Sequence, residues 1–358
     1  MAEGLRIPDN LFARIPDAPW IIGRRKSPVG DIPRVGTELV WSDIAGSWKA
    51  RWGINRMNFT VVPGLYCVGE PDDSSPVLVT ANYKMTFDRV RKALSGINAW
   101  ILVLDTRGIN VWCAAGKGTF GTAEVIRRIA LAGLSQVVSH RTIILPQLGA
   151  TGVAAHEVRK QTGFKVIYGP VRVEDISAFM KSGLKATREM RQVQFGIYDR
   201  LVLTPVQLTG MFKPLWIIAI VLLFAQITGL FKITGLNAYP YIGAILIGAV
   251  VTPVLLPWIP GRAFSWKGWL LGMLWAVVVI NGGRYLSQPH GIWISLSTIL
   301  ILPALSAFLA LQFTGASTYT SLSGVEKEMK VAMPVIIAST SLGLVTWLVG
   351  YLALKGGI

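Results

Sequence analysis

Cysteine, histidine and acidic side chains are scarce in this sequence. Two cysteines, Cys67 and Cys113, among 358 residues are too few for a disulfide framework and suit a reducing compartment. They are also too few to supply the four thiolates of an iron–sulfur cluster. Three histidines, His140, His156 and His290, form neither H-x3-H nor H-E-x-x-H, so no zinc signature is present. Asp and Glu number 19 against 35 Lys and Arg, a net charge of +16. Such a charge can serve nucleic acid, but no basic run interleaved with aromatics precedes the apolar region, and nucleic acid is not an expected partner. The first ten residues lack the apolar core of a signal peptide.

What the chain has in excess is apolar. Hydrophobic residues make up 52% and charged ones 15%, and mean hydropathy is +0.50, the balance of a membrane protein. Up to Lys213 there are 28 Lys and Arg against 17 Asp and Glu; beyond it there are 7 against 2. The second part holds five apolar stretches of spanning length, at 214–231, 239–259, 266–286, 292–313 and 331–354. Trp216, Tyr239, Trp258, Trp266, Trp293 and Tyr351 mark their ends as interfacial aromatics do. Lys213, Arg262, Lys267, Lys327 and Lys330 fall in loops on one side, and Lys232, Arg284 and Lys355 on the other. The positive-inside rule then puts the N-terminal part in the cytoplasm, on the inner face of a multi-pass cytoplasmic-membrane protein. No acidic residue lies in the spans, so this region reads chiefly as an anchor rather than a transporter. A basic soluble part beside a lipid bilayer suits anionic lipid or an acidic partner. The polar loop 314–329 is either a flexible linker or a docking surface.

Four regions are expected: an irregular arm over 1–45, an α/β domain over 46–205, a linker over 206–213, and an all-α transmembrane domain of about five helices over 214–358. Within 46–205, apolar runs at 76–81, 100–105, 142–145 and 165–168 read as strands, and 86–94, 120–131, 152–161 and 173–181 as helices. A hairpin about Pro63-Gly64 and a last strand at 199–203 complete the pattern. This alternation predicts a mostly parallel, doubly wound, Rossmann-like sheet, whose ligands bind beyond the carboxyl ends of its strands. Thr80 and Asn82, Thr106 to Gly108, and Gln147, Thr151 and Gly152 follow those ends. They are small or hydrogen-bonding residues suited to a close-lying ligand. An ordinary turn accounts for each equally well on local sequence.

The chain is organised around Gly108-Ile109-Asn110-Val111-Trp112-Cys113-Ala114-Ala115-Gly116-Lys117-Gly118-Thr119, between the second strand and its helix. Ala114, Ala115, Gly116 and Gly118 let something large and flat approach the backbone. A thiol near a helix start, with Lys117 four residues on, favours the metal-binding thiolate. On spacing alone, a lone cysteine is more often a small buried hydrophobe. The phosphate-loop pattern G-x-x-x-x-G-K-[ST] fails, because Val111 occupies its first glycine and Gly118 follows Lys117.

The unbroken string Asn110-Val111-Trp112-Cys113-Ala114-Ala115-Gly116-Lys117 resembles the signature of the HgcA family of mercury-methylating corrinoid proteins. The resemblance extends to the order of the two halves, a corrinoid-binding domain followed by a membrane domain. It implies a cobalt corrinoid (cobalamin-type) cofactor held by Cys113 as axial ligand on a cap helix. Asn110, Val111, Trp112, Ala114, Ala115, Gly116 and Lys117 would form the cap, and Thr80, Asn82, Thr151 and Gly152 would line the corrin. The corrinoid motif D-x-H-x-x-G, which supplies an axial histidine, is missing, and Cys113 is available instead. The implied activity is a corrinoid-dependent methyltransferase producing methylmercury from Hg(II). Hg(II) is an electrophile, so the methyl group must arrive with carbanion character, which a soft anionic ligand trans to it favours. Re-reduction would need a ferredoxin-like iron–sulfur partner of the HgcB type, whose acidic surface would suit the basic domain. The methyl donor would be a methyl-folate or a methyl-donor protein. A membrane-anchored corrinoid methyl carrier of one-carbon metabolism, with mercury an incidental acceptor, fits the same residues.

Overall fold

A computed structural model describes residues 15–210, 235–289 and 291–356, together with positions 220, 224 and 227. The chain divides into two compact units, Met1–Val193 and Gln194–Ile358.

The first unit is a seven-stranded mixed sheet: β1 (Ile21–Ser27), β2 (Gly30–Val35), β3 (Gly64–Val68), β4 (Val77–Ala81), β5 (Ala99–Leu104), β6 (Thr142–Leu145) and β7 (Lys165–Tyr168). Their order across the sheet is β1-β2-β3-β5-β4-β6-β7. The last four of that order run parallel, while β3 is antiparallel to β5. Strands β3, β4 and β5 are buried along their whole length, which is why they read as unbroken apolar runs: both faces are covered. The helices of this unit are α1 (Trp41–Arg51), α2 (Lys84–Ala93), α3 (Val111–Gly116), α4 (Thr122–Leu131), α5 (Leu134–Val137), α6 (Ala155–Thr162) and α7 (Ile176–Lys181).

The chain order of the parallel strands matters for the site. After β4 the chain crosses to β5 on one side, then returns past β4 to reach β6 on the other. The connections therefore part at the carboxyl ends of β4 and β6, and the crevice of an open α/β sheet opens at such a switch.

Three expectations are corrected here. Residues 21–35 are not irregular: β1 and β2 pair as an antiparallel hairpin from Ile21↔Val35 to Ser27↔Gly30. Strand β1 alternates half-buried with exposed residues and is a basic edge strand, which blunts pairing with other chains and hides the usual apolar signal. Of the hairpin expected about Pro63-Gly64, only β3 is a strand; Arg56–Asn58 is a 3-10 turn. Residues 199–203 are not a strand but fall in helical turns of the second unit, which begins at Gln194 rather than beyond 205.

That second unit holds α8 (Ile197–Leu201), α9 (Thr204–Gly210), α10 (Gly235–Leu246), α11 (Phe264–Gly282), α12 (Gly291–Gln312) and α13 (Leu322–Gly356). Helix α10 continues through a wide turn, Ile247–Val251, into Thr252–Leu255. Among the described residues four stretches are long and apolar enough to cross a membrane: Ala238–Leu255, Phe264–Gly282, Gly291–Gly315 and Ser323–Ala353. The fifth expected span, 214–231, lies outside the described residues apart from the three isolated positions. Small residues let α11 and α12 close together: a Cβ on Gly268 or Gly272 would meet Ser306 O at 2.5 Å or Pro303 Cα at 2.7 Å. The Ser306 hydroxyl donates to Ala244 O at 2.9 Å.

The polar loop after α12 is a held structure. Tyr319 Oη lies 3.3 Å from Arg200 Nη1 and donates to Phe195 O at 3.3 Å. Arg200 Nε donates to Val254 O at 3.0 Å, and its guanidinium lies over the Trp258 ring. Helix α13 starts at Leu322, so the second half of the expected loop is helical.

Candidate functional site

The cysteine helix is set by the turn before it. Leaving β5, Asp105 accepts from the Arg107 N–H at 3.0 Å, and its own N–H donates to Glu124 Oε1 at 2.9 Å. Arg107 and Gly108 both take left-handed backbone, at φ 56° and 72°. At Gly108 only glycine fits, since a Cβ would lie 2.4 Å from Met57 O. The Asn110 side chain then caps α3, accepting from the Cys113 N–H at 2.9 Å. Gly118, at φ 77°, closes the helix.

Three faces of this short helix do different work. Val111, Ala114 and Ala115 are buried and anchor α3 against Gln147–Gly149, the turn after β6, and against the end of β4. Cys113 is half-buried, while Trp112, Gly116 and Lys117 are exposed. A Cβ on Gly116 or Gly118 would meet nothing within 4 Å. Gly116 is three residues from Cys113 and shares its face of the helix, so there is room beside the thiol.

The residues after β4 and β6 divide by role. Asn82, buried, spends its Oδ1 on three donors: the N–H groups of Thr106 and Gly108, each at 3.1 Å, and the Thr106 hydroxyl at 2.8 Å. Asn82 thereby ties the turn before α3 to the end of β4. Gly152 is pressed against the cap: a Cβ there would lie 2.3 Å from Phe120 O and 3.0 Å from Ala115 Cα. Thr151 is exposed beside it. Thr80 Oγ1 and Gln147 Oε1 are buried without a hydrogen-bond partner, at the ends of β4 and β6. Unpaired polar atoms at a switch point are what a ligand rich in amide groups would satisfy. The half-buried thiol, the clearance at Gly116 and these two atoms make a donor set that fits a corrinoid.

Sequence reading missed a charged cluster behind the site. Lys84 Nζ donates to Asp43 Oδ1 at 2.7 Å and to both Asp88 oxygens, and Arg91 pairs with both aspartates. All four side chains are buried. Arg91 also donates to Gly36 O and Glu38 O. Lys84, Asp88 and Arg91 at i, i+4 and i+7 on a poorly apolar helix were the only signal available. Among the described residues no group of three or more His, Cys, Asp or Glu is gathered as a metal site. Cys67 lies fully buried in β3, and burial pushes its thiol up to about 12 despite the pull of Arg25 and Arg34.

An open α/β domain with a half-exposed cysteine on a capped helix at its switch point is therefore the class defined by fold and site. Comparison with known proteins narrows it. Residues 55–180 match the family described as CO dehydrogenase/acetyl-CoA synthase delta subunit, a stretch holding β3 to β7 and α3. The chain is 32% identical over 138 residues to the acetyl-CoA decarbonylase/synthase complex subunit gamma of Methanocaldococcus jannaschii, covering 37% of this chain and 28% of that protein. It is 38% identical over 111 residues to subunit gamma 2 of Methanosarcina thermophila, covering 30% and 23%. It is 30% identical over 119 residues to the corrinoid/iron-sulfur protein large subunit of Moorella thermoacetica, covering 33% and 26%. The chain thus matches about a quarter of each relative's length, and its α/β domain is homologous to part of those subunits.

Proposed function

We propose that the first unit is a corrinoid-binding methyl carrier of one-carbon metabolism, anchored to a lipid bilayer by the apolar helices of the second. The observation that carries this reading is the half-exposed Cys113 thiol on α3, set beside open glycine surface at the switch point of a domain homologous to corrinoid/iron-sulfur subunits. A bound corrinoid would supply a cobalt that takes up and passes on a methyl group. Cys113 would hold that metal as a soft, anionic ligand. Asn110 fixes the start of α3 and with it the Cys113 backbone. Thr80 and Gln147 would take the ring's amide side chains, Gly116 and Gly118 leave it clearance, and Trp112, Lys117 and Thr151 flank it. Val111, Ala114, Ala115 and Gly152 keep the cap seated, and Asn82 keeps its entry turn. With two cysteines the chain cannot supply the four thiolates of a ferredoxin-type iron–sulfur cluster, so electrons would come from a ferredoxin-like partner. A methyl-folate or a methyl-donor protein would supply the group.

The test is direct. Full-length protein loaded with hydroxocobalamin should retain a corrin absorption spectrum through gel filtration, with a sulfur neighbour in its cobalt X-ray absorption. Cys113→Ala should lose that neighbour. Cobalt with only nitrogen or oxygen around it in the wild type would end this reading.

A second reading, transfer of the methyl group to Hg(II), is favoured by one specific feature, the unbroken Asn110-to-Lys117 string shared with the mercury-methylating family. It predicts methylmercury from the methylated protein and none from Cys113→Ala, with Cys113→His tested alongside. Methyl transfer from a folate donor without methylmercury would leave the first reading alone standing.

A further inference from the structure

Helix α1 presents an unusual outer face. Trp41, Ile44, Trp48 and Trp52 recur at spacings of three, four and four, and so line one side of the helix and its C-terminal end. Trp41 is 74% exposed and Trp48 65%, and Ile54 and Met57 continue the apolar surface beyond the helix. The opposite face is committed: Asp43 and Ala50 are buried, and a Cβ on Gly46 would strike the Phe59 ring at 2.6 Å. The orientation of α1 is therefore set by packing and by ion pairs, and its tryptophans are turned outward as a consequence.

Charge follows the same division. Between 41 and 58 the only acid is Asp43, whose carboxylate turns inward onto Lys84 and Arg91. Lys49 and Arg51 occupy the last turn of the helix. Over 41–58 the outer side thus combines indole rings with positive charge and no acidic side chain, the exposed Glu38 lying just before the helix. This is the make-up of a helix lying in the plane of a bilayer interface: tryptophan's amphipathic ring settles at headgroup level, and lysine and arginine meet anionic phosphate. A soluble domain gains nothing by exposing three tryptophans to water, and among the described residues of the same chain four helices are long and apolar enough to cross a membrane.

We propose that α1 is an interfacial docking helix that lays the Trp41–Trp48–Trp52 stripe onto the anionic lipid surface of the bilayer. The proposal rests on the bilayer reading of the second unit and goes beyond anchoring: it assigns the α/β unit its own lipid contact and so limits which of its faces meet soluble partners.

The experiment uses the full chain in lipid nanodiscs of phosphatidylcholine, with or without phosphatidylglycerol, each doped with a phospholipid bearing a diazirine near its headgroup. Irradiation and peptide mass spectrometry then locate the cross-links. The expected result is labelling of 41–52 that rises about fivefold with phosphatidylglycerol, besides labelling of the apolar helices. Trp41→Ser with Trp48→Ser should abolish labelling of 41–52, and Lys49→Glu should remove only the phosphatidylglycerol-dependent part. Both changes fall on exposed side chains, and retained protection of Cys67 from alkylation reports that the fold survives. Labelling of 238–353 with none at 41–52 would overturn the proposal while sparing the bilayer reading. Labelling of neither would remove both. Labelling at 41–52 that persists in the double tryptophan variant, or a co-purified protein that shields the stripe, would also overturn it.

Discussion

Asn82 Oδ1 accepts the backbone N–H of Gly108 at 3.1 Å, so the carboxyl end of β4 holds the turn that aims the cysteine helix. The same oxygen serves Thr106. One buried acceptor therefore fixes a turn in which two successive residues, Arg107 and Gly108, hold left-handed backbone.

Replacing Asn82 by Ala should leave those buried N–H groups without a partner, at a cost of about 1–3 kcal/mol. The turn should loosen and α3 lose its fixed approach. Denaturant unfolding should show the loss of stability. Loaded Asn82→Ala protein should also release its corrin absorption faster than wild type on gel filtration. An unchanged unfolding midpoint would mean that water replaces the Asn82 oxygen without cost.

The two cysteines should differ sharply in reactivity. Cys67 is fully buried, and burial pushes its thiol up to about 12, so it stays protonated and shielded near neutral pH. Cys113 is half-exposed. Native protein without cofactor treated with iodoacetamide should be alkylated once, at Cys113, and denatured protein twice, as peptide mapping would show. Alkylation of Cys67 in the native state would mean that the sheet opens at β3. Loading with hydroxocobalamin should protect Cys113 if its sulfur is engaged.

How much of this was legible depended on the range of the interaction. Strands β4 and β5 stood out because both faces of the sheet are covered there, and β6 and β7 because each keeps a short apolar run behind a polar first residue. The edge hairpin β1–β2 did not, because a basic strand with one half-buried face resembles a loop in composition. The place of Cys113 on a short helix after β5 was legible from contiguous residues. The role of Asn82 was not, since its partners lie 24 and 26 residues away and only the folded turn brings them together. Gly152 was read as lining a ligand site; its close approach to Phe120 and Ala115 depends on how two loops meet. The Asp43–Arg91 contact joins residues 48 apart, beyond any local pattern.

The membrane unit offers a packing test. Gly272 lies where a Cβ would come within 2.7 Å of Pro303 Cα and 2.9 Å of the Ser306 side chain. A larger residue must part α11 from α12. Gly272→Leu should lower the thermal stability of the second unit in detergent, with overpacking costs of about 1–3 kcal/mol. Gly282→Ala, with nothing within 4 Å of its Cβ, is the matched control and should be near neutral. Equal melting temperatures for the two variants would mean that α11 and α12 do not pack this tightly.

Acid should loosen α1 through Asp43. Burial alone would raise its carboxyl, but the Lys84 hydrogen bond and the charges of Lys84 and Arg91 outweigh that, and its value lies below the ordinary 3.8. A carboxylate lowered by folding stabilises the native state at every pH above its unfolded value, and that contribution is lost as pH falls through the folded one. The stability gained from Asp43 should therefore stay level from neutrality down to about pH 5 and decline only below about pH 4. Asp43→Asn leaves Lys84 and Arg91 short of a buried counter-charge, a loss of about 3–5 kcal/mol at neutral pH. The gap between wild-type and Asp43→Asn unfolding midpoints should accordingly be constant over the first range and narrow over the second. A gap that widened on acidification would mean that the carboxyl is raised, not lowered, in the folded chain. Because α1 is seated by this carboxylate, the same acid range should weaken its lipid labelling, although the exposed tryptophans do not titrate.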